Sequence, residues 1–264
     1  MVSQSDPSQW SRPPHPLGGG VRSRVWEIAS PLGPRVIKVG PVAPLAHEAT
    51  TLMQLAGTGL GPALVAAGDG MLVTERCDGD PRSPEAWEIG DARVLGALIA
   101  RVHQSRTTAW RDLPDGSGRE LSHDAYLRAR IDQIQSRGVP AQGAVVARVI
   151  AHAPAPDHRE AVRLHGDLWS ANVVWCPRGP VLVDWEYSHQ GDRAEELAYL
   201  AEMDALSGPL MDAVRDGYGA DGGLRACVER WRPLVAVWCG LWFADHGDPE
   251  RCSGLLLRAE RQLG

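Results

Sequence analysis

Residues His165-Gly166-Asp167-Leu168-Trp169-Ser170-Ala171-Asn172 lead into two short apolar stretches. These are Asn172-Val173-Val174-Trp175 and Val181-Leu182-Val183-Asp184, joined by a Pro/Gly turn and followed by Trp185-Glu186. β-branched runs on either side of a turn predict a hairpin. Chemistry-bearing residues stand at both of its ends. A carboxylate at Asp167 can orient a hydroxyl and take its proton. An amide oxygen at Asn172 binds a hard divalent cation without adding negative charge, and Asp184, expected on a strand end, offers a second oxygen ligand. An ordinary loop beside a buried strand rarely reproduces this whole combination.

Upstream, Val25-Trp26-Glu27-Ile28 and Arg35-Val36-Ile37-Lys38-Val39 flank the turn Pro31-Leu32-Gly33-Pro34 and predict a second hairpin. Apolar residues at Leu45, Ala49, Leu52, Met53 and Leu55 have helical spacing, and Met71-Leu72-Val73-Thr74 reads as a further strand. Residues 1–16 are Ser-, Gln- and Pro-rich and read as a flexible tail. Gly79-Asp80-Pro81-Arg82-Ser83-Pro84 breaks regular structure. Beyond it the chain reads as mainly helical. Ser83 is placed to cap a helix whose face is Ile89, Ala92, Leu95, Ile99 and Val102, and helical patterns recur at 122–137, 193–206, 223–242 and from Asp248 onward. The expectation is an α+β chain in two lobes. A nucleotide-binding N-lobe with a small antiparallel sheet spans 17–79, a hinge spans 80–86, and a larger, mainly helical C-lobe spans 87–264.

Of the 27 basic residues, Lys38 is the single lysine. In so Arg-biased a chain it marks a place where a compact ammonium is needed and a planar guanidinium will not serve. Glycines at 18–20, just ahead of Ser23, let backbone amides approach phosphate closely. Glu48, ten residues past Lys38 near the start of the next helix, is its natural ion-pair partner.

The segment 164–198 resembles the Brenner-type motif of the aminoglycoside phosphotransferase and choline kinase superfamily, whose fold is similar to that of protein kinases. That family shows His-Gly-Asp-x4-Asn, then Ile-Asp-Trp or Ile-Asp-Phe, then Gly-Asp-Pro-x-x-Asp-Leu-Ala. Here the last two elements are Val183-Asp184-Trp185-Glu186 and Gly191-Asp192-Arg193-Ala194-Glu195-Glu196-Leu197-Ala198. The resemblance implies ATP and Mg2+, with GTP admitted because Thr74 leaves the inner pocket open. It implies that Asp167 is the base and that Asn172 and Asp184 hold the metal. Gly19, Gly20, Ser23 and Lys38 would meet the phosphates, with Glu48 pairing Lys38. The Glu75 carbonyl and Cys77 amide would face the adenine ring. His165 and Glu196 would brace the catalytic loop, and that brace departs from the pattern, with Arg193 in place of Pro and Glu196 in place of Asp.

Net charge is -6, which disfavours a nucleic-acid partner, and the longest apolar run is too short to span a bilayer. Five scattered cysteines without a Cys-x-x-Cys pair suit reduced thiols and a cytoplasmic chain. Between Asp184 and Glu229 acids outnumber bases by eight, a field that would steer a small cationic, hydroxyl-bearing substrate. Trp169, Trp185, Glu186, Asp192 and Glu195 are the candidate pocket walls. An aminoglycoside-like or other cationic antibiotic, inactivated by O-phosphorylation, is the expected acceptor. A metabolic kinase of choline, a fructosamine or another amino-alcohol is the alternative, and a nucleotide-binding pseudokinase a third. A monomer or homodimer is expected. Without Asp-Phe-Gly or Ala-Pro-Glu segments, a eukaryotic-type protein kinase is disfavoured.

Overall fold

The computed structural model describes residues 14–19, 23–105, 113–114, 120–121, 132, 143–154 and 161–264. The first layer is a five-stranded antiparallel sheet built from β1 (His15–Gly19), β2 (Arg24–Ile28), β3 (Arg35–Val39), β4 (Leu64–Gly68) and β5 (Met71–Glu75). Its spatial order is β1-β2-β3-β5-β4. The expected hairpin is β2–β3, with Val25 opposite Lys38. Helix α1 (Val42–Gln54) packs on β4 and β5 through Leu45, Ala49 and Leu52. β1 begins at His15 and pairs with β2, so ordered strand reaches into the stretch read as a tail. The first thirteen residues lie outside the described ones.

β6 (Asp80–Pro81) joins the edge of a second sheet, where β10 (Val173–Cys176) pairs with β11 (Gly179–Leu182) in the order β11-β10-β6. The segment read as a break is therefore partly strand. Ser83 precedes a 3-10 turn over Pro84–Ala86 rather than an α-helix. The helix starts later, as α2 (Ile89–Gln104), behind a reciprocal capping box of Glu88 and Asp91. Ala92, Leu95, Ile99 and Val102 face the core as their spacing predicts, whereas Ile89 is exposed. Short ladders β7 (Leu113–Pro114) with β8 (Glu120–Leu121), and β9 (Val162–Leu164) with β12 (His189–Gly191), complete the strands of the described residues. Of the helical pattern at 122–137 the described residues include only Asp132, which is helical.

Further helices among the described residues are α3 (Gly143–Ala151), α4 (Arg193–Met203), α5 (Gly208–Tyr218), α6 (Gly222–Asp245) and α7 (Pro249–Gln262). Asp192, Asp221 and Asp248 cap α4, α6 and α7 by accepting backbone N–H bonds. α4 and α7 pack on α6, whose Trp231 and Trp238 are buried in the core they share. α2 and α5 cross with no room for a side chain between them. A β-carbon at Gly96 would lie 2.0 Å from the Val214 carbonyl oxygen, and one at Gly217 1.9 Å from that of Arg93. No described helix is long and apolar enough to cross a membrane.

Candidate active site

On β3 the inward position belongs to a cation. Lys38 is 8% exposed, and its Nζ donates to Glu48 Oε2 at 2.9 Å, Asp184 Oδ1 at 2.6 Å and Glu186 Oε2 at 2.9 Å. Glu48 comes from α1, and its second oxygen accepts from the Trp185 backbone N–H at 3.2 Å. β11 ends at Leu182, so Asp184 stands beyond the strand, not on its end, with φ +66°. Such left-handed backbone is uncommon for a residue with a side chain and costs of order 1 kcal/mol. It lets Asp184 and Glu186 both reach Lys38. Burial works against the ammonium, but three carboxylates outweigh it and hold its pKa above the usual lysine value. Burial pushes the Glu48 carboxyl up to about 7 against the pull of Lys38. The oxygens of Glu48, Asp184 and Glu186 lie within 4.8 Å of one another, a grouping able to hold a divalent cation.

The loop before β10 forms the second half of the site. Asn172 Nδ2 donates to the Asp167 carbonyl at 2.7 Å and to Asp167 Oδ2 at 3.0 Å, leaving its own oxygen turned away from Asp167. Tyr199, from α4, donates its hydroxyl to Asp167 Oδ1 at 2.6 Å. Burial raises the Asp167 pKa, while Tyr199 and Asn172 oppose the rise. His165 is fully buried. Its Nδ1 accepts from the Asp167 N–H and its Nε2 donates to the Val183 carbonyl at 2.9 Å, tying this loop to the segment that carries Asp184. Gly166 has φ +82°, and a β-carbon there would meet the Tyr187 carbonyl at 2.1 Å, so only glycine fits.

The two departures from the family pattern belong to one network. Glu196 Oε1 accepts the Gly166 N–H at 2.8 Å while Oε2 accepts from His103 Nε2 at 2.9 Å. His103 Nδ1 meets the Tyr218 hydroxyl at 2.8 Å, and Arg193 hydrogen-bonds that same phenol. Glu196 carries one methylene more than Asp and so spans from α2 to the loop. Burial alone would raise its pKa; the bond from His103 turns the shift downward. Farther along, both oxygens of Asp204 hold Ser170, accepting its N–H at 2.7 Å and its hydroxyl at 2.6 Å.

On the glycine-rich side, Gly19 ends β1 and Gly20 lies outside the described residues. Ser23 is buried, with no hydrogen-bond partner for its Oγ among the described residues. Thr74 is buried, and the Glu75 side chain is exposed and paired with Arg35. The Cys77 carbonyl accepts from Gly79 N–H and from Arg76, and burial first, with the Cys176 thiol beside it, pushes the Cys77 thiol up to about 11.

The expected pocket walls are largely not walls. Trp185 is 0% exposed, its Nε1 bonded to the Leu182 carbonyl and its ring against His165, so it is core. Glu186 belongs to the Lys38 knot. Glu195 is buried, and burial, with Asp192 and Glu196 nearby, raises its pKa well above the carboxylate range. Asp192 caps α4 and accepts from Trp231. Trp169 is half-buried on the loop before β10. Nor is the acidic stretch a free negative surface. Glu202 is tied to Arg232, and Asp212, Asp216 and Glu229 are paired with Arg215 and Arg225. Tyr199, His103 and Asp204 were not singled out by sequence. The available signal was that Glu196 and Tyr199, three apart, share a helix face.

The profile of the phosphotransferase enzyme family APH matches residues 15–234. A Thermus thermophilus protein named probable ketoamine kinase is 31% identical over 86% of this chain and 85% of its own. Viomycin phosphotransferase of Streptomyces vinaceus is 28% identical over 64% of this chain and 59% of its own. A choline/ethanolamine kinase family protein of Mesorhizobium loti superposes with TM-score 0.76 at 19% identity, covering 98% of this chain and 91% of that one. This last likeness shows the two-lobed, protein-kinase-like fold.

Proposed function

From the premise that the chain belongs to the phosphotransferase enzyme family and is a small-molecule kinase, we propose that it moves the γ-phosphoryl group of ATP to a hydroxyl of a ketoamine, a sugar–amine adduct. The observation that supports the reaction is that the Lys38–Asp184 pair neighbours the Asp167–Asn172 pair, the Asp184 carboxylate acting on Asp167 and the Val183 N–H bonding the Asn172 carbonyl at 3.0 Å. The likeness to the Thermus protein over most of both chains supports the acceptor.

In this reading Asp167 accepts the proton of the acceptor hydroxyl as its oxygen attacks the γ-phosphorus and ADP departs. Its raised pKa makes it a better base than an ordinary aspartate. Asn172 Oδ1 and Asp184, with Glu186 adjacent, suit Mg2+ in hard oxygen chemistry. When bound there, Mg2+ neutralises charge on the β- and γ-phosphates. Lys38 turns its ammonium to the phosphates while Glu48 keeps the side chain extended. Ser23, whose buried hydroxyl has no partner among the described residues, is available to a phosphate oxygen. His165 and Glu196 hold the loop so that Asp167 and Asn172 keep their geometry.

A second reading is a cationic peptide antibiotic as acceptor, favoured by the likeness to viomycin phosphotransferase. The engaged acids between Asp184 and Glu229 weaken the electrostatic case for it. ADP release in the presence of Mg2+ and ATP, measured with a fructosyl-amine, viomycin, an aminoglycoside and choline, separates these readings. Turnover with the fructosyl-amine is expected. Turnover with viomycin alone would move the assignment to the second reading, and nucleotide binding without turnover on any acceptor would favour a pseudokinase.

A further inference from the structure

Helix α4 holds the catalytic loop at three successive points. Glu196 takes the Gly166 N–H, Tyr199 donates to the Asp167 carboxylate, and Asp204, at the helix C-cap, takes the N–H and hydroxyl of Ser170. Two of these contacts fix main chain or a hydroxyl. The third grips the carboxylate itself.

We propose that Tyr199 is a positioning residue of the phosphoryl transfer, its phenol pinning Oδ1 of Asp167 so that the carboxylate meets the acceptor hydroxyl in one orientation. The inference rests on the reading of Asp167 as the base. A carboxylate turns readily about its last torsion, because that torsion is broad and roughly two-fold. Asn172 restrains only one end, donating to Oδ2 at 3.0 Å. The Tyr199 hydroxyl restrains the other at 2.6 Å, the length of a charge-assisted O–H···O bond. Held from both sides, each oxygen keeps a lone pair in a fixed direction, and a fixed direction is what converts a bound alcohol into a reacting one. The phenol is itself well placed. Ala198 and Leu200 beside it and Glu196 one turn back are buried, so the backbone beneath Tyr199 is set by the core and not by the loop. Phenylalanine at this position would keep the ring and lose only the hydroxyl. Other groups near Asp167 are His165, which accepts its N–H, and the Asp184 carboxylate, and neither donates to its carboxylate oxygens among the bonds described.

The test is Tyr199→Phe in the full chain, read in two ways at one fixed pH. Infrared difference spectra, wild type minus Asp167→Asn, isolate the Asp167 carboxylate stretch without any acceptor. The same difference taken in the Tyr199→Phe background is expected to show that band displaced, as one strong donor is removed. Kinetics with Mg2+, ATP and a fructosyl-amine are expected to show kcat down about tenfold, the effect of losing one hydrogen bond to a charged group. KM values for ATP and acceptor should stay within twofold. Replacing Tyr199 by 3-fluorotyrosine, which retains the hydroxyl, should restore kcat. An unmoved carboxylate band, or a kcat and KM that fall together without rescue, overturns the assignment. Turnover surviving in Asp167→Asn would instead remove the base from its role, while the displaced band would still report the Tyr199 contact.

Discussion

Lys38 and Asp184 are 146 positions apart in the chain and 2.6 Å apart in space. The contact joins the five-stranded sheet to the segment beyond β11, where the phosphoryl transfer is proposed to take place. Around that ammonium three carboxylates approach from three directions, and it is almost wholly buried. A compact, rotatable donor fits this space; a planar fork does not. Lys38→Arg is therefore expected to raise KM for ATP at least tenfold and to lower kcat in steady-state assays. Wild-type kinetics in that variant would make the lone lysine an accident of codon usage.

Asp167 shares no hydrogen bond with Lys38; its carboxylate is held by Asn172 and Tyr199. Its loss should strike turnover and spare nucleotide. Asp167→Ala is expected to reduce kcat by about a thousandfold, within the usual range for removing a general base. ATP affinity measured calorimetrically should change by less than about threefold, a difference under ~1 kcal/mol.

Glu196→Asp would restore the residue the family pattern carries, yet the structure predicts harm. The shorter acid cannot hold Gly166 N–H and His103 Nε2 together across 2.8 and 2.9 Å bonds. One buried bond is lost, at a cost of about 1–3 kcal/mol. Thermal melting should show the loss, and kcat should fall with it. An unchanged melting temperature would mean that the longer side chain contributes nothing.

Asp204 supplies a pH dependence whose sign follows from its environment. Burial raises its pKa from 3.8 to about 6, against the hydrogen bonds from Ser170. The folded state then holds a proton that the unfolded chain has released. The resulting stability is full below about pH 4 and lost as pH rises through about 6. Denaturant unfolding of wild type and Asp204→Asn, compared from pH 4 to 7, should show their difference shrinking by about 2–3 kcal/mol. A constant difference would show that Asp204 does not titrate in this window.

The hairpins and the catalytic loop could be read from sequence because their signals are local. Val25–Ile28, Arg35–Val39 and the pair around the Pro/Gly turn at 177–180 each carry β-branched runs bounded by turn residues. Helix α5 gave no such signal, since Gly208, Pro209 and Gly217 obscure the apolar face of Met211 and Val214. β4 ends in Ala66, Ala67 and Gly68, which are weak strand formers, and its ladder with β5 sets it as strand. The allegiance of Glu186 was hidden for a different reason. It depends on the left-handed backbone at Asp184, which no periodicity encodes, and so an acid read as facing the substrate turns out to face Lys38. Trp185 likewise reads as an amphipathic wall, but the same turn carries it inward against His165.

Where α2 and α5 cross, main chain touches main chain at Gly96 and Gly217. The same two helices hold His103 and Tyr218, the far end of the bonds that reach Gly166 through Glu196. A single methyl group at Gly96 would wedge the crossing open and draw the phenol from the imidazole, and that slack would be handed down to the reacting carboxylate's own neighbour. The spacing of two helices thus reaches, bond by bond, the loop that carries the proposed base.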